Sequence, residues 1–317
     1  MWIYIWNVQV IKRMFRYAIR RFITSIVTLF LVIVLTFFLM QIVPGGPFLG
    51  ENVNPEVTQK LLEKYGYDQP IMVQFGNYLR ALFQGDMGVS MVVKSGDSVT
   101  SVIAEHFPIS AKLGLIALAL AVFIGIPLGV LAAMKHNSIF DRIFIFMASL
   151  FVSVPSFIMT IALMLIFGVW LSLLPIAYLS DWTSYIMPIF GMAIYPMFNL
   201  ARLTRTTMLD VTGQDYIKTA RAKGLSTFKI MFKHALRNAL IPVVTSMGPM
   251  IAGILTGSFV VEKVFAINGI GKYFISSITS RDYPLIMGTT IFFAVLLIAC
   301  NYVVDLLYGI IDPRIKM

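Results

Sequence analysis

The chain is short of the residues on which soluble chemistry relies. Of its 317 residues only 13% are charged, and 15 acidic groups face 25 Lys and Arg; a soluble domain carries about a quarter charged residues. A single cysteine, Cys300, excludes an intrachain disulfide. Its place inside an apolar run marks it as a small core residue rather than a reactive thiol. Three histidines, His106, His136 and His234, are too scattered to build a metal cluster. No G-x4-G-K-[ST] phosphate loop occurs, because Gly269-Ile270-Gly271-Lys272 lacks the preceding glycine. The chain is therefore expected to have no catalytic residues and no resident cofactor, and not to hydrolyse ATP itself. A net charge of +10 raises the question of nucleic acid. The basic residues lie in loops between apolar runs, however, so no nucleic-acid partner is expected.

What the sequence has in abundance is uncharged length, with 58% of residues hydrophobic. Phe22 to Val43 and Leu113 to Met134 each run 22 residues without a charge, enough to cross a bilayer as a helix. Ile143 to Leu174 is uncharged for 32 residues, longer than one crossing needs at 1.5 Å per residue. Pro155 between Ser153 and Ser156 predicts a kink there, with the last turns leaving the bilayer near Trp170. Ile186 to Leu200 is the weakest span, interrupted by Pro188 and Pro196. Leu240 to Val261 and Leu285 to Val304 complete an all-α protein with six transmembrane helices. The predicted organisation is an N-terminal segment 1–21, a first span 22–43, an external segment 44–108, a core 109–311 and a tail 312–317.

Lys and Arg give the orientation. Seventeen lie in the N-terminal segment, the Lys135–Arg142 loop, the central loop and the tail (Arg314, Lys316), while eight are spread over the longer opposite side. Both termini are expected in the cytoplasm. In the external segment, Asn54-Pro55 predicts a helix start, and Pro70 begins another helix bearing Phe75, Tyr78, Leu79 and Leu82. Gly85-Asp86-Met87-Gly88 reads as a turn. Within the fifth span, Gly253-x-x-x-Gly257 predicts close helix packing, and Gly248-Pro249 offers a possible bend. Asn199, Asn238, Asn301 and Asp305 are polar at costly depth, as pathway or core-facing residues are.

The central loop, 202–238, concentrates eight of the basic residues: Arg202, Arg205, Lys218, Arg221, Lys223, Lys229, Lys233 and Arg237. Tyr216 to Lys223 suits a short helix that Gly224 ends. A second helix is expected over Ser226 to Arg237, with Leu225, Phe228, Phe232, Ala235 and Leu236 as its apolar stripe. Ala220 is expected on the same side as Ile217 and Gly224, open to a docking partner.

The words of this loop, Asp215-Tyr-Ile-Lys-Thr-Ala-Arg-Ala-Lys-Gly224-Leu and then His234-Ala-Leu-Arg-Asn-Ala-Leu-Ile-Pro242, resemble the EAA loop of ABC-importer permeases of the oligopeptide/dipeptide family. The Glu of the general pattern is absent: Lys218, Thr219 and Ala220 stand at its first three positions. The external order YGYDQP…GDMGVS…FP is similar to that family too. So are Glu262-Lys-Val-Phe-Ala-Ile-Asn268-Gly269-Ile-Gly271, Arg281-Asp282-Tyr283-Pro284 and Asp312-Pro313-Arg314. The resemblance implies a type I ABC-importer permease fold with a five-helix core, and a coupling loop over Asp215, Tyr216, Lys218, Thr219, Ala220, Arg221, Ala222, Lys223 and Gly224. It implies a related second permease subunit, two ATP-binding cassette subunits carrying ATP and Mg, and an extracytoplasmic substrate-binding protein docking near Asp86, Gly88, Glu262, Asn268, Gly269 and Asp282. Peptides are the implied substrate. Nickel or glutathione, or a purely structural role in a membrane complex, remain open. A secondary transporter would need inverted repeats and paired mid-membrane ionisable residues, and neither is present.

Overall fold

The computed structural model describes residues 8–42, 69–177, 181–255 and 259–311. The expected helix start at Asn54-Pro55, the end of the first span, Gly257 and Asp312-Pro313-Arg314 lie outside them. Among the described residues the elements are helical, joined by turns and one isolated bridge between Val89 and Ser98. In order they are α1 (Val8–Ile42), α2 (Ile71–Phe83), α3 (Val99–Met134), α4 (Ile139–Ser153) and α5 (Ser156–Leu163), which continues as a π-helix over Met164–Trp170. A 3-10 turn at Thr183–Tyr185 precedes α6 (Ile186–Thr212) and α7 (Asp215–Ala222). Then come α8 (Thr227–Lys229), a π-helical stretch Ile230–Ala235, α9 (Leu236–Leu255), α10 (Phe259–Val264), α11 (Ile270–Thr279) and α12 (Tyr283–Ile311).

Five helical stretches are long and apolar enough to cross a membrane, or six if one bent pair counts as a span. The pair is α4 with α5 and its π-helical end, and the bend is 102°, a break far beyond the expected kink. Val154 is extended (ψ 126), as a residue before proline prefers, and Pro155 caps α5 without an amide to donate. Each half has 15 residues, roughly 22 Å of helix, too short to cross alone. Two boundaries also differ from expectation. The N-terminal basic segment joins the first span in one helix, and α3 starts at Val99, running through Pro108. Ser98 explains the early start: its Oγ accepts from the Ser101 amide at 3.1 Å.

The chain forms two compact units. The first comprises residues 1–21, 113–255 and 300–317, and α6 lies at its centre. A Cβ on Gly125 or Gly129 of α3 would fall under 3.0 Å from the Met197 or Ala201 carbonyl oxygen, so only glycine permits that approach. On another side α4 meets α6 through Phe144 and Ala148 against Ala201, and Phe151 stacks on Phe198 at 4.5 Å. Gly191 gives α5 room for Thr160, and α9 contributes Val243 against Leu200. Elsewhere in this unit, Gly248 makes way for Val304 of α12, and Asp305 pairs with Arg21 at 3.3 Å. Among the described residues, which exclude Gly257, a Cβ on Gly253 would meet nothing within 4 Å. Cys300 is only half-buried.

The second unit comprises residues 22–112 and 256–299. Phe37 of α1 stacks on Tyr78 of α2 at 5.8 Å, with Phe75, Leu79 and Leu82 in the same cluster as Met287 and Ile291. A second cluster joins Val99, Val102 and Ile103 to Ile270, Leu285 and Phe293.

Candidate coupling surface

Seven residues beyond Arg205, α6 ends at Thr212 and the chain turns through Gly213 into α7. Asp215 sits in the first turn and Arg221 in the last, so both charges oppose the helix dipole favourably. Lys218 reaches Asp215 at 2.8 Å, but both side chains are open to solvent, and such a pair is worth little. The end of α7 is a Schellman motif. The Gly224 amide donates to the Arg221 carbonyl at 2.9 Å and the Leu225 amide to the Ala220 carbonyl at 3.3 Å, with Gly224 left-handed at φ 74. Ser226 then caps the next helix, its Oγ accepting from the Lys229 amide at 3.4 Å.

The hairpin is sealed to its own unit. Ile217 and Ala220 of α7 share one cluster with Ile230, Met231, Ala235 and Ala239, with Met208 of α6, and with Val130 and Ala133 of α3. Tyr216 ties α7 to α9, its hydroxyl accepting from Asn238 Nδ2 at 2.7 Å. Two expectations are corrected here. Ala220, with 8% of its surface accessible, and the fully enclosed Ile217 face inward; neither presents a docking surface, because both are needed to hold α7 down. Phe228 and Phe232 were expected inward but are exposed. The π-helical turn over Ile230–Ala235 widens the winding, so the buried face becomes Ile230, Met231 and Ala235, and the two rings pair with each other at 4.4 Å. The outward surface consists of Asp215, Tyr216, Lys218, Thr219, Arg221, Ala222, Lys223 and Gly224, followed by the two Phe rings and Lys229, Lys233 and Arg237.

Of the four polar residues expected at depth, Asn199 and Asn301 are half-buried in the spans, and Asp305 is held by Arg21. Asn238 is corrected: it is exposed and belongs to the hairpin through Tyr216.

The predicted external residues divide in the second unit. Asn268 is exposed, its side chain accepting from Lys272 Nζ at 2.7 Å. Asp86 is half-buried and closes a turn by accepting from the Gly88 amide at 2.9 Å. Asp282 and Glu262 are fully enclosed and cannot touch a docking protein. Asp282 accepts from Ser90 Oγ at 2.5 Å, and from the amides of Met91, Val92 and Val93 at 3.0–3.1 Å. Glu262 Oε2 accepts from the Gly271 and Lys272 amides at 2.8 and 3.2 Å, at the start of α11 where the helix dipole favours a carboxylate. Gly269 is buried because a Cβ would strike Glu262 and Ser110. Gly88 is likewise buried. These four residues shape the surface from beneath.

One cluster escaped the sequence. Asp141 of α4 is almost fully buried and receives Arg205 Nε at 2.6 Å and Nη2 at 2.7 Å. His136 Nδ1 lies 3.2 Å from Arg205 Nη2 and 3.3 Å from Asp141 Oδ2, so the ring sits against both partners of the pair. The available signal was Ser138 three residues before Asp141, a helix-start pattern. Among the described residues, no three His, Cys, Asp or Glu side chains gather as a metal site requires.

Residues 125–317 match the family of binding-protein-dependent transport system inner membrane components, and residues 14–114 match the N-terminal part of such membrane components. The chain belongs to this family. A dipeptide transport system permease protein, DppB of Bacillus subtilis, is 48% identical over 96% of this chain and 99% of its own length. An oligopeptide transport system permease protein, OppB of Haemophilus influenzae, is 41% identical over 96% of this chain and all of its own. The chain also resembles a chain of the MetNI methionine ABC transporter in an inward-facing conformation, with TM-score 0.53 and 16% identity over 67% of this chain and 97% of that one. This last likeness speaks for the fold. The inner-membrane family and the apolar helices agree on a multi-pass membrane protein that serves as a transporter subunit.

Proposed function

We propose that this chain forms half of the translocation pathway of an ABC importer for dipeptides or oligopeptides, which an external binding protein delivers. Separate nucleotide-binding subunits, carrying ATP and Mg, seat on the hairpin of residues 215–238 that follows α6, and hydrolyse ATP. A second, related permease subunit completes the pathway. Both termini are cytoplasmic, as the asymmetry of Lys and Arg supports. The observation that carries this reading is the two-faced hairpin: Ile217 and Ala220 clamp it to α6 and α3, while the other eight of the ten positions from Asp215 to Gly224 stay open. A loop that is rigidly based and outwardly bare suits the transfer of force from a docked subunit. The relatives named for dipeptide and oligopeptide transport favour peptides over nickel or glutathione as cargo.

The test is reconstitution in vesicles. The purified chain alone is expected to hydrolyse no ATP. With nucleotide-binding subunits and a peptide-loaded binding protein, ATP-dependent peptide uptake is expected. Single cysteines replacing Asp97 and Thr212, in a Cys300→Ala background, are expected to label from opposite sides with an impermeant reagent. Failure of the nucleotide-binding subunits to co-purify with the parent chain would sink the assignment.

A further inference from the structure

The coupling hairpin explains how a docked subunit grips α6, but it touches neither α4 nor α5 in the shared cluster. Those two helices, bent at 102° to each other, pack on α6 outside that cluster. Their apolar contacts with α6, Ala148 beside Ala201 and Phe151 on Phe198, are non-directional. The Asp141–Arg205 contact is directional. The planar guanidinium meets the carboxylate with two parallel bonds, 2.6 and 2.7 Å, and neither survives a slide of one helix past the other. Asp141 is fixed on its own side as well. Its Oδ2 accepts from the Asn137 amide at 3.0 Å, and its amide donates to Ser138 Oγ at 3.3 Å. Arg205 stands three residues before Met208, which is sealed into the hairpin cluster.

We infer that Asp141 and Arg205 form a positioning strut that makes the α4–α5 pair follow α6 when the hairpin is displaced. The inference rests on the coupling role proposed above. The strut touches no substrate and acts only through the helices it joins. His136 lies beside both partners, 3.2 Å from Arg205 Nη2 and 3.3 Å from Asp141 Oδ2. A buried ion pair is poor evidence for stability, since apolar residues of similar volume often replace it without loss. That fact separates a strut from a mere packing element.

Two variants test it in the complete complex, reconstituted with nucleotide-binding subunits and peptide-loaded binding protein. The double variant Asp141→Leu, Arg205→Met keeps the volume and removes the fork. Arg205→Lys keeps the charge and loses the second parallel bond. Co-purification, binding-protein-stimulated ATP hydrolysis and peptide uptake are measured together. The double variant is expected to assemble and to hydrolyse ATP within about twofold of the parent, with peptide taken up per ATP reduced at least about tenfold; Arg205→Lys is expected to fall between. Parent-like uptake per ATP in the double variant overturns the strut. So does loss of assembly in both variants, which would mark the pair as structural only. If the parent itself fails to retain the nucleotide-binding subunits, the coupling assignment fails first, and the two failures are thereby told apart.

Discussion

α1 and α6 are both long enough to cross a bilayer, yet they solve opposite problems. α1 is the most apolar candidate span, and only 11% of its most apolar stretch is buried; α6 is the least apolar, and 61% of its stretch is buried. In α1 the bulky residues Ile23, Val27, Phe30, Leu31 and Leu35 face outward, where lipid accepts them. α6 interrupts its apolar sequence with Gly191, which makes room for Thr160 of α5, and Arg205, which pairs with Asp141 of α4. Without a hydrophobic force between helices in lipid, small residues and polar pairs do the joining. Between these two helices, apolarity goes with the open surface, and its dilution goes with contacts to neighbouring helices.

The largest blow to α6 should come from across its contact with α3. Gly129→Val places carbon against the Ala201 carbonyl and Thr204, and a cost of about 3 kcal/mol is expected. Thermal unfolding of the purified chain in detergent should show it; an unchanged midpoint would contradict the central place given to α6. Ala220→Glu comes next. It drives a carboxylate into the hairpin cluster, at about 2 kcal/mol for an unpaired polar group. Limited proteolysis after Lys223 should accelerate even before any partner is added. Gly224→Val strains the left-handed turn by roughly 1–2 kcal/mol. The spans should fold as in the parent, while nucleotide-binding subunits are lost or ATP is hydrolysed without uptake. Leu31→Ala on the open face of α1 should move the unfolding midpoint least, by less than about 0.5 kcal/mol. A loss comparable with Gly129→Val would mean that this face of α1 is packed rather than lipid-facing.

The sequence made α6 look like the weakest span, and the reason is instructive. Hydropathy scores each residue against lipid, but Gly191 and Arg205 answer to Thr160 and Asp141, far away in the chain. The same limit hid the roles of Asp282 and Glu262. Charged residues in an apparent loop read as surface, and only the fold reveals the amides of residues 91–93 and 271–272 around them. Local chemistry was readable where it was local. Gly224 as a helix stop, Pro70 as a helix start and Pro155 as the place, though not the size, of a bend all depend on a few neighbouring residues. The Phe228–Phe232 face was misread because a π-helical turn changes the period on which the stripe was counted.

The cage around Asp282 has a consequence for how this chain can vary. Four of its donors are main-chain amides, at Met91, Val92, Val93 and Leu285, and every residue except proline supplies an amide. The fold therefore depends on the identity of residue 282 and on the hydroxyl at Ser90, while the exposed tip from Ser95 to Ser98 is tethered mainly through backbone. A segment fastened in this way is free to exchange its outward letters without loosening its hold. Mutational scanning should find tolerance at Ser95 and Asp97 beside strict intolerance at Asp282.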